Sequence, residues 1–150
     1  ASCNFFAYNR RMQMKVHEAA AAACMAIGVG CGAFGAHALR DIVSPVDLQI
    51  WEKAVLYQLV HGLAALLVAF APERVLPLGA RRRISTLLLL SVLIFSGSLY
   101  VLVLSHLIHL LVHGTLHAQG FDHIDEIEAE AMESLEIAIL KKLKQSNPYA

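Results

Sequence analysis

The chain has 150 residues, enough for one domain, with apolar residues at 57% and charged residues at only 16%, well under the ~25% of an ordinary soluble domain. Formal charge sums to zero and no basic groove with interleaved aromatics is present, so no nucleic-acid reading arises. Charge is also segregated: none falls between Glu18 and Arg40, between Lys53 and Glu73, or between Arg83 and Asp122, so helices through those stretches have no polar face to show to water.

Residues 1–15 form a basic segment. Arg10, Arg11 and Lys15 precede the first acid, Glu18, a pattern compatible with an organelle import signal or with the positive flank of a membrane span. Three apolar stretches follow, at about 16–38, 54–71 and 84–105. Each approaches or exceeds the ~18–20 residues a helix needs to cross ~30 Å of hydrocarbon. The expected fold class is all-α: an integral membrane helical bundle of three transmembrane helices over 16–105, plus an amphipathic C-terminal helix outside the membrane.

The first span holds Gly28, Gly30, Gly32 and Gly35. The string Gly30-Cys31-Gly32-Ala33-Phe34-Gly35 formally matches GxGxxG, but a dinucleotide site needs a strand before it and a βαβ unit around it. Close helix packing explains the glycines better, since helices in lipid meet where side chains are small. Gly28, Gly32, Gly35 and Gly97 are the expected packing positions. Cys24 and Cys31 sit two turns apart, about 10 Å along the helix, too far to pair. With Cys3 they read as small apolar packing residues.

Ser44-Pro45 marks the first loop and could start a short helix through Trp51; Pro72 and Pro77-Leu78-Gly79 mark the second. Trp51, Tyr57 and Tyr100 fall where interfacial aromatics settle. Arg10, Arg11, Lys15, Arg74, Arg81, Arg82 and Arg83 share one side of a three-crossing topology, which assigns that side to the cytoplasm or matrix. Polar residues inside the spans (His37, Tyr57, Gln58, His61, Ser96, Ser98 and Tyr100) all map to the opposite half of the bilayer. They are expected to form an intramembrane polar cluster, with hydrogen bonds worth ~0.6–2 kcal/mol each.

Beyond Ser105, residues 106–120 carry His106, His109, His113 and His117, within roughly 80° of arc on a helix. The i,i+4 pairs could share a metal or haem. No CxxC or HExxH accompanies them, so the expected role is a polar helix face and no cofactor is expected. Gly114 is a candidate helix breaker; without a break, a helix from Ile84 to Ala118 would be ~52 Å long. Residues 121–150 form an acidic tail whose acids precede its lysines, as a helix dipole favours. Ile124, Ile127, Ala131, Leu135, Ala138 and Ile139 are its expected apolar stripe, laid against a partner.

Three motifs carry a resemblance: Gly32-Ala33-Phe34-Gly35-Ala36-His37; Trp51, Ala54, Tyr57, Gln58 and His61 leading into Gly62-Leu63-Ala64; and Phe95-Ser96-Gly97-Ser98-Leu99-Tyr100. In this order they resemble the transmembrane protein 256 family, small integral membrane proteins with bacterial and mitochondrial members and no established activity. The resemblance covers about 16–104 and implies a four-helix membrane bundle, from which the chain departs after Leu104.

No nucleophile–base pair or cofactor loop is placed to act, so a non-catalytic protein is expected. The leading expectation is an accessory subunit of a mitochondrial inner-membrane complex, respiratory chain or ATP synthase. Its N-terminus would lie in the matrix and its C-terminus in the intermembrane space, with other membrane subunits and lipids as partners and no nucleic acid. The alternatives are a small oligomeric transporter or channel, and a haem- or metal-binding membrane protein using the stripe from His106 to His117.

Overall fold

The computed structural model describes residues 2–149, with side chains from Met12 onward except Gln13. The expectations for Cys3, Arg10 and Arg11 concern side chains outside the described residues. Four helices follow one another: α1 (Ser2–Phe34), α2 (Pro45–Phe70), α3 (Leu78–Ala118) and α4 (Glu126–Lys142). The expected all-α class is what the structure has, with no strand among the described residues. Three stretches are long and apolar enough to cross a membrane, Met14–Leu39, Pro45–Phe70 and Leu78–Ala118.

The chain divides into two compact units, Ala1–Tyr100 and Val101–Ala150, with the division inside α3. In the first unit α1 ends in a π-helical turn, Gly35–Leu39. Helix α2 begins earlier than expected. The Ser44 hydroxyl accepts the Asp47 amide and Pro45 takes the first helical position, a strong start signal. The short helix anticipated through Trp51 is therefore the opening of α2 itself.

Helices α1 and α2 meet closely at two glycines. A Cβ on Gly28 would lie 2.8 Å from Leu59 Cδ2, and one on Gly35 would lie 2.6 Å from Trp51 Cδ1. Gly32 makes an ordinary contact with Val55, whereas a Cβ on Gly97 would meet nothing within 4 Å. Gly97 is thus not a packing glycine among the described residues. Gly62, absent from the expected set, packs on Met25 and Cys24. Trp51 is buried among the helices, and its indole donates to the Cys31 carbonyl at 2.8 Å. Arg81 donates to the Ala71 carbonyl at 2.8 Å, capping the end of α2, and the Ser85 hydroxyl bonds the Ala65 carbonyl at 3.2 Å.

In the second unit α3 passes through Gly114 without a break. It stops at Gly120, whose φ is +92°. The amide of Gly120 bonds the His117 carbonyl at 3.0 Å and that of Phe121 bonds the Leu116 carbonyl at 3.1 Å. This is the paired C-terminal cap that a left-handed glycine permits. Asp125 then caps α4 by accepting the Glu128 amide at 2.8 Å.

The core of this unit is Val112 and Leu116 from α3 against Met132 and Leu140 from α4, flanked by Ile108 and Ile139. The buried face of α4 is therefore Met132, Glu136 and Leu140, with Ile139 of the expected stripe beside it. Ile124 and Ile127 are 84% and 81% exposed. A carboxylate in the inward face misled the pattern, because Glu136 brings its own hydrogen-bond partners.

Helix α4 closes with the same paired cap, but Lys144 holds the left-handed position at φ 59°. The amide of Lys144 bonds the Lys141 carbonyl and that of Gln145 bonds the Leu140 carbonyl. Lys144→Gly removes the Cβ penalty and is expected to stabilise the unit by about 0.5–1 kcal/mol, read as a raised thermal midpoint in circular dichroism.

Candidate functional site: a three-histidine centre

The polar residues expected to gather inside the membrane divide into smaller sets. Gln58 donates its amide to the Cys24 carbonyl at 2.9 Å and accepts the Tyr100 hydroxyl at 2.8 Å, joining all three helices of the first unit. Trp51 packs against Tyr100 with ring centroids 4.6 Å apart. Tyr57 stacks on His61 and tilts against Phe95, while the His61 ring bonds the Tyr57 carbonyl of its own helix. Ser98 turns back to the Phe95 carbonyl. Ser96 is fully buried with an unpartnered hydroxyl. His37 is exposed in the π-helical turn, away from the others. Gln58, Tyr100 and Trp51 form a helix-fastening network.

The second unit is different. His113 and His117 lie one turn apart on α3, so their rings share a face. The cap at Gly120 reverses the chain, and Asp122 accepts the His123 amide at 2.8 Å. His123 is thereby returned to the same place. The rings of His113 and His117 have centroids 4.6 Å apart and cross at 83°. His123 stacks on His113 at 5.5 Å and lies 4.9 Å from His117. One ligand nitrogen from each of the three fits within 4.8 Å of the others.

Proton bookkeeping makes this cluster specific. The Nδ1 of His117 faces the Phe121 carbonyl at 3.0 Å, and the Nδ1 of His113 faces Glu136 Oε1 at 2.5 Å. A carbonyl and a carboxylate can only accept, so both Nδ1 atoms carry their protons. In neutral rings both Nε2 atoms then present lone pairs, and they face each other at 3.1 Å. Two lone pairs at that distance repel unless a cation, or a proton on one ring, lies between them. Three imidazole nitrogens within reach of one another, two of them on rings whose far nitrogens face oxygen acceptors, are a donor set that zinc, copper, nickel or iron takes. The residues present fit such an ion.

Behind His113 stands Glu136, 1% exposed. Its Oε2 accepts the His109 ring at 3.1 Å and the Tyr149 hydroxyl. Burial alone pushes this carboxyl up, but the hydrogen bonds from Tyr149, His113 and His109 outweigh it and hold the group below the ordinary carboxylate value. The Tyr149 hydroxyl is pushed up by its own burial and by the Glu136 hydrogen bond.

The expected stripe is thus split. His113 and His117 enter the cluster and His109 turns to Glu136. His106 lines a neighbouring cavity of about 340 Å³ with His109, Ser105 and Asn147. His123 was not among the expected residues. The signal for it was an i,i+4 histidine pair followed by a helix-ending glycine and a third histidine.

Comparison with known proteins gives two matches that overlap over residues 100–116. A family described as a protein of unknown function, DUF423, matches residues 31–116. The UPF0382 membrane protein SH2409 of Staphylococcus haemolyticus is 37% identical over 99 residues, covering 63% of this chain and 75% of that protein. The chain belongs to the DUF423 family. This corrects the resemblance to the transmembrane protein 256 family: the match and the relative carry the DUF423 and UPF0382 names instead.

A second model, endoribonuclease YbeY, matches residues 100–144, starting where the second compact unit starts. The YbeY of Polynucleobacter asymbioticus is 62% identical over 47 residues and that of Methylococcus capsulatus 60% over 45. The chain spans about 30% of either protein. No solved structure matches the chain. With its apolar helices and a membrane-protein relative, this DUF423 member is an integral membrane protein.

Proposed function

We propose that this DUF423 protein is a membrane-embedded metalloprotein whose C-terminal unit binds one zinc ion through His113, His117 and His123. The observation that carries the reading is the pair of facing Nε2 atoms, 3.1 Å apart, with both Nδ1 protons committed elsewhere. Three imidazoles leave a tetrahedral ion one open position, the pattern of hydrolytic sites rather than of closed structural ones. When bound, such an ion supplies Lewis-acid activation of water. The Phe121 carbonyl orients the His117 ring.

Hydrolysis of RNA is the second reading. It is favoured by the identity of about 60% to proteins named endoribonuclease YbeY over the stretch that carries all three ligands. It stands second because the chain spans under a third of those proteins, and because residues 122–144 carry seven carboxylates against three lysines, a poor surface for a polyanion.

Basic residues at the N-terminal flank and in the 72–83 loop support a cytoplasmic placement of that side; three crossings carry residues 121–150 to the opposite face. The relatives named here are bacterial, so a mitochondrial complex as host has no support among them.

The test is elemental analysis of the chain purified in detergent. About one zinc per chain, lost in His117→Ala, is the expected result; a metal-free protein that takes up no zinc on dialysis would overturn the reading. Incubation of the loaded protein with RNA, with and without chelator, decides the second reading.

A further inference from the structure

The zinc reading uses His113, His117 and His123 and gives Glu136, Tyr149 and His109 no task of their own. Yet a carboxylate set between Met132 and Leu140 in an apolar face is costly unless its bonds are worth keeping. Its two oxygens are divided. Oε1 serves the His113 ring, while Oε2 receives His109 from α3 and Tyr149 from the segment after α4.

We infer that Glu136 is a positioning residue for the metal centre, and that Tyr149 and His109 hold its carboxylate in the plane that keeps Oε1 aimed at His113. A carboxylate accepting the far N–H of a ligand imidazole fixes its tautomer and orientation and makes the ligating nitrogen more basic. His117 receives the corresponding support from a backbone carbonyl, so Glu136 is a side chain through which the support of a ligand can be altered. Docking of Tyr149 and metal affinity are then coupled. By linkage, an ion that favours the aligned His113 also favours the docked Tyr149.

The inference rests on the zinc reading. Its test uses the full chain in detergent micelles, stripped of metal and titrated with zinc against a chromophoric chelator. Glu136→Gln is expected to weaken zinc binding about 10–100-fold. Tyr149→Phe, which keeps the ring and removes one hydrogen bond, is expected to weaken it less, by about 3–10-fold. Both variants are expected to shift the visible absorption of the cobalt(II)-loaded protein. A Tyr149–Glu136 contact that merely fastened the chain would lower the melting temperature and leave affinity and cobalt spectrum untouched; that outcome overturns the inference. If Glu136→Gln does not fold, Tyr149→Phe decides alone. Failure of the parent chain to bind zinc at all would overturn the metal reading itself, and this inference with it.

Discussion

His123→Ala is expected to weaken zinc binding on the order of 100-fold or more, while His106→Ala leaves it within about twofold. Both residues are histidines of the second unit, and a reading by helical spacing alone ranks His106 with the ligands and omits His123. The structure reverses that ranking. His123 stacks on His113 and closes the three-nitrogen cluster, while His106 lies outside it. Competition titration of the two variants separates a polar helix face, in which neither substitution matters, from a metal centre, in which only one does. Equal affinities would remove the basis for the cluster.

The second large effect lies in the membrane unit. Trp51→Ala is expected to cost about 3–5 kcal/mol, as truncation of a buried tryptophan does, because the indole fills the approach of α1 to α2 and bonds the Cys31 carbonyl. Gly35→Ala is expected to cost about 1–3 kcal/mol by overpacking, since its new Cβ would lie 2.6 Å from Trp51 Cδ1. The two penalties share a cause, so they do not add. In the Trp51→Ala background the Gly35 substitution is expected to cost almost nothing, a coupling of about 1–3 kcal/mol. Unfolding in mixed detergent micelles measures all four corners of the cycle. Additive losses would mean that Gly35 is not opposed by Trp51.

The three spans were legible because length, apolarity and the absence of charge need no tertiary information. The direction in which the polar residues point around their helices was not legible. The π-helical turn at Gly35–Leu39 changes the helical phase just before His37 points away. Ser98 satisfies itself on its own helix. Only where a long side chain could reach a neighbouring backbone, as Gln58 does, did shared depth become contact.

The histidine centre was half legible. Periodicity found His113 and His117 and then ran out at the helix end, because a residue returned by a left-handed cap obeys no helical period. Helix α4 failed in the opposite way. Its inward face contains a glutamate, and a hydrophobic pattern discards such a face unless the partners of that glutamate are known.

On α3, the core residues Val112 and Leu116 each immediately precede a ligand, His113 and His117. The oily seam and the ion-binding edge are therefore neighbouring strips of one rod, and neither can peel away from α4 without disturbing the other. Loading the ion should raise the temperature of a single cooperative melt instead of adding a second step, so the chelated form of this unit is expected to be a softer version of the same object.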